Sequence, residues 1–183
     1  RADNRGPWGE EPGENNSTAH AECRQSYTVL MTDGYWSGTG ANTSGATKNN
    51  DGLAGSLITA PDGSSYQFAA NAAPFADSHA GTLADVAMYY WKNDLRTNLD
   101  NEVPTSHINP AFWQHMVTFG VGLGVVGNIN PATAFLAINN GSSIAWPDPD
   151  DGNPEKIDDL LHASVNGRGD FFSAADPETF ANE

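Results

Sequence analysis

Asp33 stands where an apolar run breaks off, in "YTVLMTDGYW" from Tyr27 to Trp36. Tyr27–Thr32 reads as a strand, with β-branched and aromatic members and turn residues behind it. In open α/β sheets, ligands bind beyond the carboxyl ends of the strands. A carboxylate there can hold Mg²⁺ or Ca²⁺, directly or through water. Taken alone, the local sequence fits a simple turn at Asp33-Gly34 better, and both readings stay open at this point.

Three other groups invite chemistry. The acidic loop "PDPDDGNPEKIDD" holds Asp148, Asp150, Asp151, Glu155, Asp158 and Asp159. It fails as a calcium loop of the EF-hand type: Gly152 at the sixth position puts Pro147 first and Pro149 third, where acidic ligands are required. A solvated acidic turn before a helix is the better reading. His162 follows Asp158 by four residues and Asp159 by three, so on a helix both reach it. An Asp-His pair can orient a general base, but no activated Ser or Cys accompanies it. An ordinary helix-surface pair is the commoner arrangement, and a hydrolase is the weakest reading. Finally, Arg168-Gly169-Asp170 on an exposed loop would form an integrin-type binding motif, although Phe171 and Phe172 want burial and would tie the loop down. The remaining histidines lack metal-ligand spacing, and His115, beside Phe112, Trp113 and Met116, reads as packed. Trp36, Trp91, Trp113 and Trp146 could form a sugar platform, but the spacing around Trp91 places it in a core.

Composition narrows the classes. The 183 residues hold 8 basic and 23 acidic side chains, a formal charge of −15. Such a surface repels phosphate backbones, which argues against nucleic acid as a partner, and it attracts divalent cations. Nineteen glycines and 11 prolines imply long loops. The single cysteine, Cys23, is a buried thiol or pairs outside this chain. No stretch reaches the length of a membrane span. Residues 1–22 read as a polar arm without a signal-peptide core, so export would require a leader upstream.

The elements that would position these groups follow from local rules. Gly34–Gly55 reads as a long Gly/Asn-rich loop. Leu57–Thr59 and Tyr66–Phe68 flank Asp62-Gly63 as a hairpin. Thr82–Leu95 reads as a helix capped by Thr82, with Asp85 three residues on. "HMVTFGVGLGVVG" reads as a strand with Val117, Phe119, Val121, Leu123 and Val125 on one face. Gly120, Gly122 and Gly124 leave the other face bare for a close neighbour. Asn130-Pro131 opens a second helix. "KIDDLLHASVNG" gives a third, with Ile157, Leu160, Leu161 and Ser164 on one side and Gly167 past its end. Asp176-Pro177 opens a last helix that stops about two turns on, as an excerpt of a longer protein would. Strands alternating with helices give an α/β fold with parallel main strands, and two such strands imply that part of the sheet is missing.

Several segments together resemble one family. "NRGPWGEEPG", "CRQSYTVLMTDGYWSG", "TLADVAMYYWKNDL", "NPAFWQHMVTFGVGLGVVG" and "KIDDLLHASVNGRGDFFSAADPETF" are similar, in order and through nearly the whole chain, to the N-terminal region of PilY-type, tip-associated adhesins of bacterial type IV pili. The resemblance implies an exported, extracellular protein of a Gram-negative bacterium. Such a protein sits at the pilus tip with minor pilins, takes part in pilus biogenesis, and adheres to host or abiotic surfaces without enzymatic activity. It implies a von Willebrand factor A-like, doubly wound α/β sheet. The metal-ion-dependent adhesion site of that fold uses an Asp-x-Ser-x-Ser segment, a Thr from a later loop, and an Asp after the fourth strand. Asp33 matches the last Asp. No Asp-x-Ser-x-Ser occurs here, since "DGSSY" puts Tyr66 where the second Ser belongs. Residues 23–183 therefore correspond to the C-terminal part of such a domain, with an incomplete metal site for Mg²⁺ or Ca²⁺ and a partner for Cys23 upstream. The family does not usually carry Asp at the position of Asp170, which makes the tripeptide a local elaboration. The alternative is an assembly subunit without a metal site, docking or self-associating through unpaired strands.

Overall fold

The computed structural model describes residues 6–9, 21–37 and 45–174. Three parallel strands form the main sheet: β1 (Ser26–Thr32), β4 (Met116–Leu123) and β5 (Arg168–Ala174), in the order β1-β4-β5. A two-stranded antiparallel hairpin, β2 (Ile58–Thr59) with β3 (Ser65–Tyr66), precedes the first helix. The helices are α1 (Leu83–Lys92), α2 (Pro131–Asn140) and α3 (Asn153–Asn166). Parallel neighbours need a crossover: α1 lies between β1 and β4 in the chain, and α2 and α3 lie between β4 and β5. The fold is mixed α/β, as the alternation of elements requires.

Local chemistry explains the element ends. Thr82 accepts from the Asp85 amide while the Asp85 side chain accepts from Thr82, a complete capping box on α1. Asn130 accepts from the Thr133 amide and Pro131 takes the first position of α2, while Gly141 closes it at φ 70°. Asp62 accepts from the Ser64 amide in the hairpin turn.

β4 has the two faces its sequence announces as far as Leu123, whereas Val125, expected on the apolar face, lies past the strand and packs on the glycine side against Gly122 and α3. A Cβ on Gly120 would come 2.6 Å from Ser164 Oγ and 3.1 Å from Leu160 Cγ, so α3 rests on the bare face. Leu160, Leu161, Ile157 and Val165 of α3 pack there with Phe171, Trp146, Val125 and Ala134. A second core joins Met88 and Trp91 of α1 to Ile58, Phe68, Ala111 and Trp113.

Four expectations are corrected. Cys23 is exposed, so it is not a buried thiol. Residues after Gly167 form a strand rather than a loop: β5 pairs in parallel with β4, after an irregularity between Thr118 and Gly120. Helix α3 is not one-sided, because every residue from Ile157 to Asn166 is buried. Gly167 has φ −82°, and the left-handed residue is Arg168 at φ 58°. Gly167 is needed for space instead: a Cβ would lie 2.5 Å from Thr118 Cβ. The Asp176-Pro177 helix and most of the N-terminal arm lie outside the described residues.

Candidate functional site

Asp33 follows the last residue of β1, in a bend, and is exposed. Thr32 shapes that bend: its hydroxyl donates to the Gly34 carbonyl at 2.8 Å and accepts from the Gly34 amide at 3.2 Å. The register pairs Thr32 with Gly122, so Asp33 sits at the carboxyl end of the parallel strands. Turn and strand-end position are therefore both present at Asp33.

The Arg-Gly-Asp tripeptide is divided between inside and outside. Arg168 is 4% exposed, and its guanidinium lies 3.5 Å from the Phe75 ring centre and 3.9 Å from that of Trp91. It donates to the carbonyls of Val165 and Asn166. Burial pushes its pKa down to about 9, against a hydrogen bond with Tyr66 that pulls it up, so it stays charged at neutral pH. Gly169 is buried as well, and Asp170 alone faces solvent. A partner outside the fold does not meet both charges together.

The acidic pair ahead of His162 also turns elsewhere. Asp158 accepts from the amides of Asn128 and Ile129, and Asp159 from those of Leu83 and Ala84. Both carboxylates anchor backbone, which removes them as orienting partners for His162. Burial pushes the Asp159 pKa up to about 6, with the two amide hydrogen bonds opposing.

His162 instead meets two residues from distant segments. Its Nδ1 lies 3.5 Å from Asp77 Oδ2, and its Nε2 lies 3.6 Å from Asp51 Oδ2 and 2.6 Å from the Phe75 carbonyl. One ligand-type atom from each of Asp51, Asp77 and His162 falls within 4.8 Å of the others, the one such group of three among the described residues. Trp146 covers the imidazole face to face, with ring centres 3.9 Å apart and planes 6° from parallel. Asn166 Nδ2 donates to Asp51 Oδ2 at 3.0 Å, and the Asp77 amide donates to Asp51 Oδ1 at 3.2 Å.

The loop that carries Asp51 is tied to α1. The Asn50 amide donates to Asp85, and Lys92 Nζ donates to the carbonyls of Asn50 and Leu53. Burial pushes the Asp51 pKa up to about 6; His162 opposes the rise, while Asp77 and Asp85 add to it. Burial lowers the Lys92 pKa, and Asp51 and Asp85 resist that. His115 lies apart from this cluster. Its Nδ1 bonds the Trp113 carbonyl, its Nε2 bonds Asn109, and burial lowers its pKa. It is the packed histidine its neighbours suggested.

Sequence reasoning missed Asp51 and Asp77. They lie 111 and 85 residues before His162, in Gly/Asn-rich and Ala/Pro-bearing stretches with no ligand spacing. Only the fold brings the three together. Among the described residues, no helix is long and apolar enough to cross a membrane.

No family model matches the chain, and no solved structure matches it. Curated sequences do. Over an alignment of 182 positions that takes in 86% of this chain, it is 37% identical to the type IV pilus biogenesis factor PilY1 of Pseudomonas aeruginosa strain UCBPP-PA14. It is 34% identical to the proteins of that name from strains PAK and PAO1, over alignments that take in 94% of this chain. The chain spans about one-sixth of the length of these relatives, 15–16%. Through most of its residues, then, this chain belongs to the PilY-type type IV pilus proteins, as the counterpart of one segment of them.

Proposed function

We propose that this chain is a segment of a type IV pilus adhesion and biogenesis protein acting outside a Gram-negative cell, at the pilus tip. The observation that carries the reading is its 37% identity, over 86% of its residues, to a pilus biogenesis factor. In this reading it is the C-terminal part of a von Willebrand factor A-like domain and catalyses no reaction. Its partners are minor pilins of the tip complex and host or abiotic surfaces. The parallel β1-β4-β5 order and the exposed Asp33 at the end of β1 support that reading. Asp33 would supply one oxygen to Mg²⁺ or Ca²⁺, and a partner carboxylate another. The test places Asp33→Ala in the full-length protein in its own piliated bacterium. Adhesion and the calorimetric binding of Mg²⁺ and Ca²⁺ should both fall, with surface pili retained. Unchanged adhesion and cation binding would remove the metal-dependent loop face. Normal piliation and adhesion without the whole protein would remove the pilus role.

One observation favours assembly through β1 without a metal. β1 is the edge of the three-stranded sheet, and Tyr27, Val29 and Met31 on one of its faces are 55%, 60% and 60% exposed. An edge strand offers its unpaired backbone groups to another chain, and this apolar face would be covered along with them. Val29→Lys should lower self-association in sedimentation runs; identical sedimentation of both proteins counts against this route.

A further inference from the structure

We propose that Asp51, Asp77 and His162 form a structural site for a divalent transition-metal ion of the Zn²⁺ type, separate from Asp33. The three side chains are 0%, 6% and 2% exposed. The imidazole of His162 fixes the arrangement. Its Nε2 lies 2.6 Å from the Phe75 carbonyl, which can only accept, so Nε2 carries the proton. In the neutral ring Nδ1 then presents a lone pair. That lone pair faces Asp77 Oδ2 at 3.5 Å, beyond hydrogen-bond distance. Two electron-rich atoms so placed in a buried pocket repel each other unless a cation lies between them. Tetrahedral Zn²⁺ with bonds of about 2.0–2.1 Å sets its ligand atoms roughly 3.3–3.4 Å apart, close to the 3.5 Å between Nδ1 and Asp77 Oδ2, and Asp51 offers a carboxylate oxygen within 4.8 Å of the ligand-type atoms of the other two residues.

The surroundings fit the same ion. A metal-bound histidine commonly donates its other N–H to a carbonyl or carboxylate, as Nε2 does to Phe75. Asp51 is held in place by the Asn166 amide group and the Asp77 backbone amide. A further carboxylate stands beside the loop, since Asp85 accepts from the Asn50 amide next to Asp51. Lys92 donates to the Asn50 and Leu53 carbonyls on either side of Asp51. Trp146 seals the imidazole face. One imidazole and two carboxylates select Zn²⁺ or a similar ion over Ca²⁺, which takes six to eight oxygens. Burial leaves no open face for a substrate, so the ion would clip the loop of Asp51, the segment of Asp77 and helix α3 together.

The test uses the full-length protein, stripped by a chelator, dialysed against Zn²⁺ and analysed for bound metal. Asp77→Asn and His162→Gln each keep a hydrogen-bonding side chain but give up a ligand, and circular dichroism checks that both are folded. Each variant should hold one equivalent of Zn²⁺ fewer than the unaltered protein, whereas Asp33→Ala should lose none. Co²⁺ in the unaltered protein should show the visible absorption of a tetrahedral site, absent in His162→Gln. Equal Zn²⁺ counts in the unaltered protein and both variants would overturn the site.

Discussion

Asp158 and Asp159, adjacent on α3, secure two different parts of the fold. Asp158 accepts from the amides of Asn128 and Ile129 at 3.1 and 2.9 Å, ahead of α2. Asp159 accepts from those of Leu83 and Ala84 at 2.9 and 3.0 Å, at the first turn of α1. The Leu83 and Ala84 amides open α1 and have no intrahelical partners, and the positive end of the helix favours a carboxylate there, whereas Asp158 holds loop amides just before the α2 cap. Removing either acid strands two buried or half-buried donors. Asp158→Ala and Asp159→Ala should each lower stability by at least about 2 kcal/mol in urea unfolding. The Asn variants, each with one acceptor, should recover part of it. A loss under about 0.5 kcal/mol would show that water replaces the carboxylate.

Two glycines make room where the chain passes close to β4. A Cβ at Gly167 would lie 2.8 Å from the Thr118 backbone nitrogen, and one at Gly120 would lie 2.8 Å from Phe171 Cδ2. Backbone yields less readily than a side chain, so Gly167→Ala should be the more damaging. The expected costs are about 1–3 kcal/mol, with Gly167→Ala toward the upper end. Thermal unfolding of the two variants side by side gives the ranking, and the reverse order would refute the close approach at Gly167.

How much could be read beforehand depended on the range of the forces. The α1 capping box, the Asn130-Pro131 start and the two faces of β4 are local rules, and they are legible in the residues. β5 was not, because it opens with Arg168-Gly169-Asp170, residues that read as a turn. Its pairing with β4 depends on contacts far away in sequence. The helical spacing of Asp158, Asp159 and His162 was legible, but not where those side chains point. Each found a partner supplied by another segment. The same holds for Asp51, whose Gly/Asn-rich loop shows no periodicity and is held inside through Lys92, Asp85 and Asn166.

Arg168 and Asp170 should behave as an interior and a surface residue, although they flank one glycine. Arg168→Lys keeps the charge but loses the planar contacts with Phe75 and Trp91 and the fork that reaches two carbonyls. It should cost roughly 1–3 kcal/mol in chemical denaturation. Asp170→Ala should change stability by less than about 0.5 kcal/mol, since the residue is exposed. If the two substitutions prove equally mild, the guanidinium does not occupy the aromatic pocket.

The acidic interior fixes the sign of the pH dependence. Burial holds Asp51 and Asp159 at about 6, above the ordinary 3.8 of an aspartate. An acid whose pKa is higher in the folded chain than in the unfolded one binds its proton more tightly when folded. Between about pH 4 and 6 the folded chain therefore carries more protons, and the contribution of these two groups to stability declines as pH rises through that window. Below about pH 4 both states are protonated there, and the contribution is fully present. In chelator-treated protein, urea midpoints measured from pH 4 to 7 should reveal this decline. Asp51→Asn, which removes the charge yet keeps an acceptor for Asn166, should make the decline shallower. An identical slope in that variant would mean that Asp51 is already ionised in the folded chain throughout the window.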